Sequence, residues 1–241
     1  WQIAAILATP RSQEFEARLT AYDGRKLQKL DIKSAEQAAE IKAMLDGATF
    51  KAVSVEAKPT KRNPGPPFTT STLQQAASSR LGFSANRTMQ IAQRLYEGVD
   101  LGGETAGLIT YMRTDGVQMA PEAISAARSV IGKEFGEKYL PEKPRYYSVK
   151  AKNAQEAHEA IRPTDFSRTP ASVKKYLDAD QARLYEIIWK RAIASQMQPA
   201  DIERTTVEIE ARNGAKLAGL RAVGSVTRFD GFLAAYADQR D

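Results

Sequence analysis

The chain has 241 residues, 42% of them hydrophobic, enough for one large core or two modest ones. Its 35 basic residues outnumber 29 acidic ones for a formal charge of +6, which favours a polyanionic partner because each neutralised phosphate releases counterions. The lack of cysteine excludes disulfides, thiolate metal sites and a cysteine nucleophile and fits a reducing compartment; no apolar run reaches membrane-spanning length, and no cleavable signal is visible.

From Glu14 to Leu30, Phe15, Ala17 and Leu19 alternate with Glu14, Glu16 and Arg18, and Asp23-Gly24 supplies a hairpin turn, so an antiparallel hairpin with one buried face is expected. Ser34 can cap a helix through about Leu45, with Ala38, Ile41 and Leu45 on one side and Gly47 as the stop. A further strand is expected from Phe50 to Ala57. Lys58-Pro-Thr-Lys-Arg-Asn-Pro-Gly-Pro-Pro67 then gathers four prolines, one glycine and three cations. Neither a helix nor a central strand accommodates that run, which predicts a stiff basic connection able to serve as a hinge.

After it the period becomes helical. Leu73, Ala76, Ala77 and Leu81 keep helical spacing, Gly82 breaks the run, and Ser84 can cap a second helix carrying Met89, Ala92, Leu95 and Tyr96. Leu108-Ile-Thr-Tyr-Met112 is β-branched and aromatic, too short for a helix, and bounded by Gly107 and Asp115-Gly116, which predicts a strand ending in a turn. Two helices across a glycine followed by this strand have the outline of a helix-turn-helix with a β-wing.

Alternation along the strand puts Tyr111 and Arg113 on one face. A phenol beside a guanidinium suits attack on a phosphate, the tyrosine as nucleophile and the planar cation pairing with phosphate oxygens as charge builds. Taken alone, these residues fit better a core strand whose tyrosine packs and whose Arg and Asp pair.

Pro121 suits a first helical position, with Ile124, Ala127 and Ile131 as the apolar stripe. Tyr146-Tyr147 among Lys143, Arg145, Lys150 and Lys152 could stack bases, although a surface strand is the commoner use of such a pattern. A short helix holding His158, the sole histidine, must end before Pro163 because Arg162 is pushed out of the helical region. Thr169-Pro170 opens another helix, and a longer one from about Asp180 to Met197 buries Leu184, Ile187, Ile188 and Ala192. Past Pro199 the period returns to two, with Val207, Ile209 and Ala211 on one face, Asn213-Gly214 as a turn and Leu217 starting the return strand. The expectation is an α+β fold: a discontinuous domain of antiparallel strands, residues 1–67 plus 198–241, interrupted by a helical domain, residues 68–197, with two chain crossings between them.

Thr110-Tyr-Met-Arg-Thr-Asp115 resembles the active-site tyrosine motif of bacterial type IA DNA topoisomerase I. Phe68-Thr-Thr-Ser-Thr-Leu-Gln-Gln75 and His158-Glu-Ala-Ile-Arg-Pro-Thr164 match further motifs of that family in its order, as does the shorter Arg94-Leu-Tyr-Glu97. Gly116 departs from the serine many members carry after the aspartate. The resemblance implies a strand-rich arch that swings a helical, tyrosine-bearing domain. It also implies that Tyr111 attacks a single-stranded DNA phosphodiester to give a 5′-phosphotyrosine and a free 3′-hydroxyl, relaxing negatively supercoiled DNA without a nucleotide cofactor. Arg113 is then the stabiliser of the phosphorane charge, and His158 a hydrogen-bond partner of the scissile phosphate region. Arg162, Thr110, Asp115, Thr70, Ser71 and Gln74 are the candidate DNA contacts, with Thr110 and Asp115 orienting the loop.

The family's Mg²⁺ site is an acidic cluster in a TOPRIM domain that precedes this region. The chain, opening at Trp1, is therefore expected to be an excised piece that carries the nucleophile and no metal, cannot relax DNA alone, and in the whole enzyme contacts the TOPRIM and toroid-base domains. A cytoplasmic, nucleoid-associated monomer without membrane contact is expected. The competing reading is a non-enzymatic helix-turn-helix module; a tyrosine recombinase or relaxase is disfavoured because their basic and histidine clusters have no counterpart spacing around Tyr111.

Overall fold

A computed structural model describes residues 1–148 and 159–237. The chain divides into two compact units, residues 1–61 with 201–228, and residues 62–200 with 229–241.

The first unit is an antiparallel sheet backed by one helix. Its strands are β1 (Ala4–Ala8), β2 (Glu14–Tyr22), β3 (Arg25–Lys26), β4 (Thr49–Arg62), β7 (Ala200–Asn213) and β8 (Lys216–Phe229), in the order β1-β2-β8-β7-β4 with β3 on β2. Asp23 and Gly24 both have left-handed backbone, φ 51° and 75°, which is what a two-residue hairpin turn requires. The predicted return strand lasts only two residues, because the Asp31 carboxylate takes the Gln28 amide at 2.8 Å and turns the chain away. Between Leu19 and Ala21 the register against β8 shifts by one residue, and the Thr20 hydroxyl at that bulge donates to the Gly219 carbonyl at 3.2 Å.

Helix α1 (Ala35–Asp46) begins where the Ser34 hydroxyl accepts the Gln37 amide and ends at Gly47. Its Ile41, Met44 and Leu45 close on Ala17, Ile209, Ala211, Ala218, Leu220 and Ala222 of the strands. The larger of these side chains contribute about 1.5–3 kcal/mol each by leaving water.

Two expectations change here. β4 continues through Pro59 to Arg62, so the first half of the proline-rich run is strand and not connector. The reason is position: β4 is the outermost strand, where proline's missing N–H need break no ladder bond. The second hairpin turns at Gly214-Ala215, one residue later than expected.

The second unit is helical. α2 (Thr70–Leu81) and α3 (Ala85–Glu97) meet across Gly82; α4 (Pro121–Glu134), the short α5 (Pro170–Val173) and α6 (Ala179–Ser195) follow. Thr69 and Thr72 form a reciprocal cap on α2, Ser84 caps α3, Pro121 opens α4, and Asp178 with Gln181 caps α6. α6 is the centre of this unit: it packs against α2, α3, α4 and α5 and buries Leu184, Tyr185, Ile187, Ile188, Trp189, Ala192 and Ile193. A 3-10 turn at Gly231–Tyr236 packs on α6 through buried Phe232, so this C-terminal segment belongs with the helices and not with the strands assigned to it from sequence. The backbone consequently passes between the units three times, near residues 61, 200 and 228.

The strand expected at Leu108 is absent. Residues 107–116 bend at Thr110, Met112 and Arg113 and make a single bridge, Ile109 to Pro163, and the regular pairing after α3 is a two-residue ladder between β5 (Val99–Asp100) and β6 (Thr105–Ala106). Pro163 has no N–H to continue a ladder, which is why pairing stops there. The helix expected to hold His158 falls outside the described residues; Glu159, Ile161 and Pro163, just beyond it, are extended and bridged to other segments.

Candidate active site

Residues 107–114 are held by neighbours on three sides. The Leu108 amide donates to the Leu95 carbonyl at 2.7 Å, Thr110 N to Arg162 O at 2.9 Å, and Thr164 N to Leu108 O at 3.0 Å. Three threonine hydroxyls supply what a ladder would have given, each donating at 2.7 Å: Thr110 to Ala160 O, Thr70 to Met112 O, and Thr164 to Gly107 O. Thr70 does more. Its hydroxyl also accepts the Thr114 amide at 2.8 Å, while its own amide donates to Thr114 O at 2.9 Å, so the first turn of α2 grips the segment directly.

The alternation expected of a strand survives without the strand. Leu108, Ile109, Met112 and Thr114 are buried, while Tyr111, Arg113 and Asp115 are exposed. Tyr111 has 48% of its surface open, which rules out the packed-tyrosine reading of these residues. Its ring stands edge-on to Tyr96 of α3, centroids 5.4 Å apart. Gly107 fits where it does only because it has no side chain: a Cβ there would overlap the Tyr96 carbonyl oxygen. The turn after Asp115 is made by the Thr114 hydroxyl accepting the Gly116 amide at 3.0 Å.

The other candidate residues divide. Ser71 is exposed and Gln74 half-buried on α2; Thr70 and Thr110 spend their hydroxyls on backbone. The Arg162 guanidinium, only 13% exposed, lies against the Glu159 carboxylate at 2.8–3.3 Å and donates to Pro163 O. That pairing makes Arg162 a fixed internal cation and not an open phosphate contact. Glu159 simultaneously accepts the Ala120 amide at 2.6 Å, which sets its negative charge beside the start of α4. His158 lies outside the described residues. Glu159, Thr164 and Tyr96 were not among the candidates; their sequence signal was their place inside the His158–Thr164 and Arg94–Glu97 motifs.

On α3, the second helix of the expected helix-turn-helix, Arg87 pairs with Asp180 and Arg94 with Asp178 at 3.4 Å. Arg87 and Arg183 also flank the Phe83 ring at 4.9 and 5.2 Å. Arg87 and Arg94 thus join α3 to the start of α6 and are paired with carboxylates.

Asp178-Ala-Asp180 has the Asp-x-Asp spacing of a metal motif, but Asp178 caps α6 through Gln181 N at 2.8 Å and both carboxylates face arginines. Among the described residues no group of three or more His, Asp or Glu side chains could hold a metal ion. These residues do not fit a Mg²⁺ site. Among them, too, no helix is long and apolar enough to cross a membrane.

Comparisons with known proteins show the family. A family model described as DNA topoisomerase matches residues 1–241. DNA topoisomerase 1 of Rickettsia felis is 47% identical over the whole chain, which covers 31% of that protein; that of Zymomonas mobilis is 51% identical, with 19% covered. The full-length topoisomerase I structure from Thermotoga maritima superposes with a TM-score of 0.75 at 34% identity, over 99% of this chain and 36% of that one. The chain thus spans about a third or less of the length of these relatives. An exposed tyrosine on a clamped segment, three motifs in order and a family match from the first residue to the last lead to one conclusion: the chain belongs to the DNA topoisomerase family.

Proposed function

We propose that this chain is the nucleophile-bearing part of a type IA enzyme that relaxes negatively supercoiled DNA by transient cleavage of one strand. The observation that carries the reading is Tyr111, an open phenol on a segment whose Leu108, Ile109, Met112 and Thr114 are buried, with Arg113 two residues on and also exposed.

The phenol oxygen of Tyr111 attacks the phosphorus of a single-stranded DNA phosphodiester, and the bond to the 3′ oxygen breaks. A 5′-phosphotyrosine and a free 3′-hydroxyl result; the phenol gives up a proton and the leaving oxygen gains one. Exchanging one phosphodiester for another conserves bond energy, so resealing needs no nucleotide. Arg113 stabilises the charge of the phosphorane, and His158, by the resemblance, hydrogen-bonds the scissile phosphate region. Preorganisation is the task of Thr70, Thr110 and Thr164, whose hydroxyls fix the backbone that carries the phenol. The strand-rich unit is the arch, the helical unit the tyrosine domain, and Mg²⁺ binds in the TOPRIM domain of the full-length enzyme, in the bacterial nucleoid. This chain alone leaves DNA topology unchanged.

The test is a covalent adduct. Set between the flanking segments of its relatives, the chain should relax negatively supercoiled plasmid and trap single-stranded oligonucleotide on protein, and Tyr111→Phe should abolish both. An adduct surviving that substitution would rule out the nucleophile. The helix-turn-helix alternative predicts duplex binding that ignores Tyr111, and the pairing of Arg87 and Arg94 with carboxylates weighs against it.

A further inference from the structure

We propose that Tyr96 is a stacking platform for the unpaired nucleobase next to the phosphodiester that Tyr111 attacks; this deepens the function proposed above and rests on it. Tyr96 lies in the last turn of α3 and is 40% exposed beside Tyr111. The two rings are inclined at 63°, an edge-to-face contact that occupies at most one face of either ring.

Two other tyrosines of this unit, Tyr185 and Tyr147, are spent on the fold, whereas Tyr146 is open to water. Tyr185 is buried and donates to Arg168 O at 2.6 Å, and Tyr147 donates to Ser195 O at 2.9 Å. On α3 the core is filled by Ile91, Ala92 and Leu95, the residues around Tyr96, and the fold asks for no aromatic ring at this exposed position.

The spacing of the two rings is set by backbone. Leu108 N donates to Leu95 O at 2.7 Å, and Gly107 sits against the Tyr96 carbonyl too closely for any side chain. A nucleotide carries its base one sugar away from its phosphate. A phenol that reaches phosphorus and a second ring beside it therefore match one step of an unpaired strand. Every base has a π-face, so such a platform grips single strands of any sequence and places the backbone for attack.

The test uses the chain in the full-length context of its relatives and two readouts: anisotropy of fluorescein-labelled single-stranded DNA, and adduct yield. Oligonucleotides with all bases are compared with ones carrying a single abasic site on either side of the mapped cleavage position. The wild type should lose affinity at one of the two abasic positions. Tyr96→Ala should weaken binding to the intact strand by about 5- to 150-fold and lose the abasic penalty. Tyr96→Phe should keep both, and Tyr96→Leu, which retains apolar bulk, should behave like alanine. A wild-type penalty persisting in Tyr96→Ala, full rescue by leucine, or no penalty in the wild type would each overturn the platform. Absence of any Tyr111-dependent adduct while the abasic penalty remains would instead overturn the nucleophile.

Discussion

The Thr70 hydroxyl donates to the Met112 carbonyl at 2.7 Å and accepts the Thr114 amide at 2.8 Å, tying the start of α2 to both sides of Arg113. Thr70→Val keeps the shape and removes the hydroxyl, leaving a half-buried donor and acceptor unpaired. It should cost about 1–3 kcal/mol, read as a lower urea midpoint at unchanged slope. Thr70→Ser should restore most of it. Single-turnover adduct formation should slow in the valine variant and recover in the serine one.

Gly107→Ala places a methyl against the Tyr96 carbonyl, and backbone must move to admit it. Overpacking of this kind costs about 1–3 kcal/mol. Separating α3 from the tyrosine segment should cut adduct formation by more than the loss of folded protein accounts for, measured at a temperature where the variant remains folded by circular dichroism.

Arg113→Ala should lower the single-turnover cleavage rate by about 10²–10³-fold if the guanidinium meets charge that develops only during attack. Weakened oligonucleotide affinity at an unchanged rate would make its role ground-state positioning.

Glu159 and Arg162 allow a double-mutant cycle. Glu159→Ala strands a cation only 13% exposed and removes the acceptor of the Ala120 amide, whereas Glu159→Ala combined with Arg162→Met removes the stranded charge. Because Glu159 is one-third exposed, the single variant should cost about 1–3 kcal/mol rather than the full buried-pair penalty, with the double variant recovering part of it. Additive losses in denaturant titrations would refute the coupling.

Burial pushes the Tyr185 phenol above its ordinary value of 10.0, and its proton is committed to Arg168 O at 2.6 Å. The folded state therefore holds this proton more tightly than the unfolded chain, so stability is full below pH about 10 and falls as pH rises beyond it. Tyr185→Phe should lose about 1 kcal/mol at neutral pH and show a shallower alkaline decline. Burial also raises Tyr139 and Tyr147, so some decline should remain.

Much of the architecture could be read in advance because its signals are local. Ser34, Ser84 and Pro121 mark helix starts, Gly47 and Gly82 mark stops, and Asp23-Gly24 fixes a hairpin. Family membership was legible in the motifs around Tyr111, Phe68 and His158, which the family match bears out. What could not be read depends on partners distant in sequence. Leu108–Met112 has the composition of a strand, but its neighbour is a segment interrupted by Pro163, and threonines 70 and 164 complete its hydrogen bonding. Arg162 looked free because nothing in its spelling says that Glu159 will turn toward it. A proline beside lysines reads equally as linker or as the rim of a sheet, and only the strand order decides.

That rim has a further consequence. β4 runs fourteen residues at the margin of the sheet, with Val53 and Val55 open to water, the kind of border onto which a second copy could graft and begin a fibre. Pro59 withholds an amide there, and Lys58 and Lys61 set charges on either side of it. Replacing Pro59, Lys58 and Lys61 with threonine should therefore raise the rate of self-association, read as light scattering against the unsubstituted chain.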